Sequence, residues 1–397
     1  MKTICYSKAN ANKNSFVNIN STELRKKPNH FIMKRKQLRI NLIIIISFTG
    51  LLNLNSQPGN TEIMNAIESA NGKYEALDHR LDVIEKKIDD LLWFDRVGDV
   101  AFIDKIFITG PPPAKESNPT GQGAGNPLKF WSYVFIPRDA DPSKKYPLLV
   151  FPHGGVHANF DTYYTHIVRE MVSQGYIVVA AEYRGSTGYG SGMFRRIDYG
   201  GLEVADVDAS RQYMIENYDI VDKDRVGMIG WSHGGLIGLF CIFDHPEAYK
   251  VCFAGVPVSD LVARMGYKDD EYRDLYSADY HIGKTADENV AEYRKRSPAW
   301  QVDRYQNTPL LIHTNTIDED VNVLEVEHLI KSLKAAGKEN FKYKIFEAMP
   351  GGHSFDRMDY KEARRIRLDI YNFLNGYLKP ARPFKNINEL EKAAYRF

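Results

Sequence analysis

Cysteine is scarce: Cys5, Cys241 and Cys252 are the three in 397 residues. None stands behind the apolar run Ile40 to Leu52, which excludes a lipid attached there through sulfur. Cys241 and Cys252 fall in apolar stretches and read as buried free thiols; a disulfide between them would need a geometry that spacing does not supply. Charge of either sign is not in excess either. Lys and Arg number 52 against 51 Asp and Glu, a net charge of +1, and that removes the electrostatic case for a nucleic-acid partner. The run Ile40 to Leu52 is short for a membrane-spanning helix. His153-x-x-x-His157 has no acidic third ligand near it, so no metal is expected, and no cofactor is expected. The glycines of Gly121-Gln122-Gly123-Ala124-Gly125 lead into a strand pattern, whereas a phosphate-binding loop must open a helix.

What charge there is sits unevenly. Basic residues crowd positions 1 to 40, where Glu23 is the one acid. Met33-Lys34-Arg35-Lys36 followed by the apolar run and polar Asn53 to Pro58 has the layout of a secretory signal. Met33 then reads as the start, residues 1–32 as upstream sequence without a fold, and residues 33–56 as the signal of a secreted or periplasmic protein. Left uncleaved, the same segment would be a membrane anchor.

Residues 58–95 form the next unit. Apolar side chains recur at Ile63, Ile67, Ala70, Tyr74, Leu77, Leu81, Ile84, Ile88 and Leu91, alternately four and three apart, with charges between them. That is a heptad seam. It has two readings: a helix that joins copies of the chain through residues 63–91, or an amphipathic helix laid along its own domain.

From residue 96 to 380 the pattern is α/β. Two aromatic and β-branched strands, Ala101 to Ile108 and Leu128 to Ile136, come first. Six apolar strands follow: Pro147 to Phe151, Tyr176 to Glu182, Arg225 to Trp231, Val251 to Val256, Pro309 to Thr314 and Phe341 to Phe346. Helical stretches at 163–173, 204–218, 236–243, 323–336 and 361–377 fill the gaps. Such strands, apolar on both faces, predict a mostly parallel eight-stranded sheet covered by helices. About fifty residues separate two of the strands; the part at 261–296 reads as a lid over the crevice at the strand ends, or else as a solvated excursion. Residues 381–397 form a tail or short helix.

The chemistry starts at Gly230-Trp231-Ser232-His233-Gly234-Gly235, between a strand and an apolar helix. A serine at such a turn is held strained with its hydroxyl exposed, and glycines two before and two after it remove clashing Cβ atoms; this is a nucleophile elbow. A serine hydroxyl needs a histidine to take its proton and an acid to orient the histidine. His353 follows the last strand in a Gly-rich loop. Asp318, Glu319 and Asp320 follow the strand before it, with Asp260 further upstream. The oxyanion donors expected are the backbone N–H of His233 and that of Gly154 or Gly155 in His153-Gly154-Gly155. His153, Tyr183, Trp231 and Tyr267 stand beside these elements as candidate substrate contacts.

Together these segments resemble the prolyl oligopeptidase family of serine peptidases, within the α/β-hydrolase fold. The resemblance runs from about Tyr146 to Tyr377. It rests on His153-Gly154-Gly155, on Glu182-Tyr183-Arg184-Gly185-Ser186-Thr187-Gly188-Tyr189-Gly190, on Asp198-Tyr199-Gly200-Gly201 with Glu203 and Asp206, on the elbow with its doubled glycine, on Arg296-Ser297-Pro298, on Asp318 three before Val321, and on Gly352-His353. It implies a Ser232, Asp318, His353 triad and favours Asp318 over its neighbours. The expected substrate is a peptide or aminoacyl amide, with a carboxylester as the alternative and a binding or assembly protein as a reading of another class. Residues 58–145 are too few for the β-propeller that usually precedes this domain, so exopeptidase specificity is not implied. Val156 stands where relatives often have proline, and Asn315-Thr316 replaces the more usual glycine before the acid.

Overall fold

The structure is a computed structural model that describes residues 58–395 apart from Ser117. The leader at 33–56 and Cys5 lie outside the described residues. The chain divides into two compact units, Met1–Lys73 and Tyr74–Phe397. The described part of the first is helical from Pro58, the start of α1 (Pro58–Val97). The second holds the sheet.

All eight expected strands form: β1 (Ala101–Thr109), β2 (Lys129–Pro137), β3 (Tyr146–Val150), β4 (Ile177–Ala181), β5 (Val221–Trp231), β6 (Val251–Gly255), β7 (Leu310–Asn315) and β8 (Phe341–Phe346). Their order is β1-β2-β4-β3-β5-β6-β7-β8. β1 with β2 and β2 with β4 run antiparallel, and the remaining pairs are parallel. After β3 the chain steps outward to β4 and then returns to the other side of β3 with β5. That reversal of strand order opens a crevice at the carboxyl ends of β3 and β5.

Strands β3, β4 and β6 are buried along their whole length, as strands covered on both faces must be. Helices α2 (Thr165–Gln174), α3 (Ser191–Phe194), α4 (Leu202–Asn217) and α5 (His233–Asp244) lie between the strands up to β6. The insertion holds α6 (Leu261–Tyr267), α7 (Asp270–Ser277) and α8 (Val290–Lys295), and α9 (Val323–Ala335), α10 (Lys361–Leu378) and α11 (Ile387–Lys392) complete the chain. Residues of α4, α5 and α9, such as Val207, Leu236 and Leu329, pack with Leu148, Val150 and Met228 on one face. Ile167 and Met171 of α2 and Ile370 and Leu374 of α10 pack with Leu149, Val178 and Ile229 on the other. On that second face the buried Arg367 of α10 pairs with Glu170 of α2 at 2.8 Å.

Two sequence expectations change. β8 was expected to be apolar on both faces, but it is the edge strand, with Lys342, Tyr343 and Lys344 exposed; lysines on an edge discourage pairing with another chain. β5 begins earlier than its apolar core, at Val221, because Tyr146 and Pro147 pair with Val221 and Asp222 before a register shift sets Leu148 against Val226. The insertion is not a solvated excursion on its inner side: Tyr276, His281 and Tyr293 are buried, and Asp260 caps α6 while accepting from His328 Nδ1 at 2.7 Å. Cys241 and Cys252 are free and buried, and burial pushes both thiols up.

Helix α1 also differs from a helix lying on its own domain in the usual way. Its buried residues are Lys86, Trp93 and Val97, while Leu77, Leu81, Ile84, Ile88 and Leu91 are exposed. The polar side is docked and the apolar seam faces out. Trp93 stacks on Phe160 and tilts against Phe135. Lys86 Nζ reaches the carboxylate of Glu182 at 2.7 Å, the carbonyl of Phe160 at 2.6 Å and Asn159 Oδ1 at 3.1 Å.

Candidate active site

Ser232 sits between β5 and α5 at φ 60° and ψ −122°, a left-handed conformation that costs a non-glycine residue about 1–3 kcal/mol. The turn is held from both sides: Ser232 N–H donates to Gly255 O at 2.9 Å, and Ser232 O accepts from Leu236 N and Val258 N. A Cβ on Gly230 would stand 2.3 Å from Gly234 O, and one on Gly234 would stand 2.3 Å from Pro152 O. The glycines flanking the serine are therefore required by backbone contact.

The acid and the base stand beyond the ends of the last two strands, Asp318 after β7 and His353 after β8. His353 Nδ1 lies 2.8 Å and 2.9 Å from the two oxygens of Asp318. The acid is fixed in turn, since Asp318 Oδ1 accepts from Asp320 N and Val321 N at 2.8 Å. Its rivals have other work. Glu319 accepts from His353 N–H, Asp320 pairs with Lys268, and Asp260 caps α6. Trp231 Nε1 donates to the buried Asp356 at 2.8 Å, which ties the residue before the serine to the loop that carries His353. Among the described residues no hydrogen bond joins Ser232 Oγ to His353, a contact that hydrolases often tighten only with substrate bound.

Asn315 and Thr316 account for the departure before the acid. Asn315 donates to Met349 O at 2.8 Å and Gly352 O at 3.0 Å and accepts from Met349 N, while Thr316 Oγ1 accepts from Ala348 N. The two side chains clamp the His353 loop to β7. Asn315→Ala strips buried partners worth about 1–3 kcal/mol from that loop, and kcat is expected to fall about tenfold with KM little changed. Steady-state kinetics with an activated ester check this; an unchanged kcat would show that the loop holds its place without Asn315.

The loop after β3 is braced from beneath. His153 Nδ1 binds Gly154 O at 3.0 Å, and Tyr183 OH donates to His153 O at 2.8 Å. A planar peptide points its N–H opposite its C=O, so the Gly154–Gly155 unit turns the Gly155 N–H away from His153. The Gly155 carbonyl is held by His233 Nδ1 at 2.8 Å, and His233 Nε2 meets Glu203 Oε1 at 3.1 Å. The imidazole is further sandwiched by Tyr199, stacked at 3.7 Å. The N–H of His233 opens α5, where first-turn donors have no intrahelical acceptor.

Three of the four expected substrate contacts are corrected by burial. His153, Tyr183 and Trp231 are each about 1% exposed; they position the loop and the elbow from below and present no face to a ligand. Burial holds the His153 imidazole down at about 3. Tyr267 is exposed, yet its hydroxyl engages Glu325 and the Arg264 guanidinium and accepts from Asn322 N. It braces the acid-bearing loop. Sequence reasoning missed Tyr164, whose hydroxyl lies beside Gly154, and the buried pair Lys86–Glu182, whose carboxylate is 3.7 Å from His153 Nε2.

Such an elbow at the centre of a mostly parallel eight-stranded sheet, with an acid and a histidine on the strand ends that follow, defines an α/β-hydrolase domain. Residues 162–381 match the prolyl oligopeptidase family, and the chain belongs to that family. It is 31% identical over 220 residues to mouse dipeptidyl peptidase 8, covering 53% of this chain and 23% of that protein. With mouse acylamino-acid-releasing enzyme it shares 30% identity over 239 residues, 57% of this chain and 31% of the relative. The chain thus spans under a third of the length of either. The Porphyromonas gingivalis dipeptidyl peptidase 4 structure superposes with a TM-score of 0.54 at 23% identity, over 70% of this chain and 36% of that one, which shows the shared fold.

Proposed function

We propose that this chain hydrolyses peptide or aminoacyl amide bonds through an acyl-enzyme on Ser232. Ser232 Oγ attacks the substrate carbonyl and His353 Nε2 takes its proton. Asp318 holds His353 Nδ1–H and stabilises the imidazolium that forms. The N–H groups of His233 and Gly155 receive the oxyanion; one such donor contributes about 3 kcal/mol to a transition state. His353 then gives its proton to the departing amine, and water releases the acyl group by the same path in reverse.

The observation that carries this reading is the His353 imidazole held by both oxygens of an acid whose own orientation is set by two backbone amides. Family membership and the names of the two relatives favour an amide over an ester as the natural substrate. The basic and apolar stretch at 33–56 supports a secreted or periplasmic site of action. Turnover of aminoacyl and peptidyl anilides, including proline anilides, compared with aryl esters tests the assignment. Anilide hydrolysis within a few orders of magnitude of ester hydrolysis is expected; turnover of esters alone would replace the peptidase with a carboxylesterase.

A further inference from the structure

Five arginines are buried among the described residues: Arg169, Arg184, Arg264, Arg357 and Arg367. A guanidinium carries five N–H donors, and taking such a cation out of water is costly unless acceptors replace the water. Four of the five are well supplied. Arg169 makes four side-chain hydrogen bonds, two of them to Asp99. Arg184 makes four, reaching Asp206 at 2.7 Å. Arg264 makes four, with Glu325 at 2.9 Å, and Arg367 holds Glu170 through two nitrogens at 2.8 Å. Arg357 differs. Its side chain makes one hydrogen bond among the described residues, from Nη2 to the carbonyl of His353. Its Nε makes none, and the carboxylate it pairs with, Asp356, stands 3.9 Å from that nitrogen, beyond hydrogen-bond reach. Burial pushes the Asp356 carboxyl up, which weakens it as a counter-ion.

The surroundings of this guanidinium point to a use for its donors. It holds the carbonyl of the catalytic base, its own carbonyl lies 2.6 Å from His166 Nε2 of α2, and it is within electrostatic reach of Tyr163, Tyr164 and Asp318. A Cβ on Gly154 would stand 3.9 Å from the Tyr164 hydroxyl and 3.3 Å from Ser232 Cβ. Arg357 therefore stands on the His353 side of the serine, where the His353 loop meets the start of α2. Its exposure of 5% compares with 9% for Ser232 itself, the value of a crevice floor. That side receives the leaving fragment, because His353 hands its proton to the departing nitrogen as the C–N bond breaks. Given the acyl-enzyme reading above, we infer that Arg357 receives a carboxylate of the leaving fragment, so that the chain favours substrates whose departing amine carries one. The carboxylate is the free C-terminus of the substrate or an acidic side chain on the first residue released. A planar guanidinium fork matches either.

With the full chain, an acyl dipeptide that keeps its C-terminal carboxylate is expected to exceed the same dipeptide as its C-terminal amide by about 10- to 100-fold in kcat/KM, the range that a hydrogen bond to a charged group confers. With the C-terminus amidated, aspartate against asparagine in the first released position reads whether a side chain supplies the carboxylate instead. Arg357→Gln should bring the ratio down to about one. Each ratio compares two substrates on one protein, so a general loss of activity from a loosened His353 loop cancels. Equal rates in both comparisons on the wild-type chain, or a preference that survives Arg357→Gln, overturn the inference and leave amide hydrolysis itself standing. Turnover of aryl esters alone would instead remove the amide substrate proposed above. The same contrast is then read with esters whose phenol carries a carboxylate or a carboxamide, where the carboxylate should again be preferred and equal rates overturn the inference.

Discussion

Ser232→Ala is expected to lower kcat by about 10⁵- to 10⁶-fold, the loss that removing the nucleophile causes where serine, histidine and acid act as a unit. The residue that remains retains the oxyanion donors and the binding surface, so a small rate above the uncatalysed one should persist. Covalent labelling by a fluorophosphonate should vanish altogether, because that reaction needs the Oγ itself. The substitution should be near neutral for stability, since alanine inherits the same left-handed backbone at φ 60°. Ser232→Gly makes the complementary test. Glycine adopts positive φ without penalty, so it should be as inactive as the alanine variant but melt at a higher temperature, by the strain of about 1–3 kcal/mol that the elbow stores. Equal melting temperatures would mean that the turn carries no strain, and labelling of Ser232→Ala would remove Ser232 from the chemistry.

Residues whose roles depend on neighbours in sequence were legible; residues whose roles depend on distant partners were not. Gly230 and Gly234 announce a turn because the close approaches of the elbow are local. His353 and the loop that holds Asp318, Glu319 and Asp320 could be picked out because an α/β sheet fixes on which strand ends base and acid must fall, and the resemblance to the family favoured Asp318 among the three. The sheet itself was readable from runs such as Ile177–Ala181, where burial on both faces forces continuous apolarity. The seam of α1 was equally plain, but a heptad pattern says which residues share a face and not which face meets the domain. That choice was made by Lys86 and Trp93, single residues among many on a charged helix. His153, Tyr183 and Trp231 read as ligand contacts because they lie in the right motifs; only the three-dimensional packing shows them under the loops they support. Glu203 follows the same rule. Its carboxylate reaches His233 and the amides of Gly200 and Gly201, and nothing in the spacing from Glu203 to His233 foretells it.

Lys86→Met is expected to be strongly destabilising. Both members of the Lys86–Glu182 pair are almost wholly buried, and removing one partner from such a pair typically costs about 3–5 kcal/mol because the other charge is left without compensation. For a domain of this size that is about 10 °C in Tm. The pH dependence follows from Glu182. Burial pushes its carboxyl up from the ordinary 4.5, and the Lys86 ammonium pulls it back. Without the ammonium the folded chain holds the Glu182 proton to a higher pH than the unfolded chain does. Folding then takes up a proton, so the variant loses stability as pH rises from about 4.5 through the raised folded value. Thermal melts at pH 5 and pH 8 should show the gap to wild type widening at the higher pH. Adding Glu182→Gln removes the stranded charge while leaving an oxygen to accept from Phe160 N, a bond of 3.1 Å in the native protein, and should recover most of the loss and abolish its pH dependence. Because Glu182 lies 3.7 Å from His153 Nε2, the single variant should also loosen the Gly154–Gly155 loop and lower kcat, and the double variant should regain it. A Lys86→Met protein that melts with wild type at pH 8 would show that α1 is not anchored through this pair.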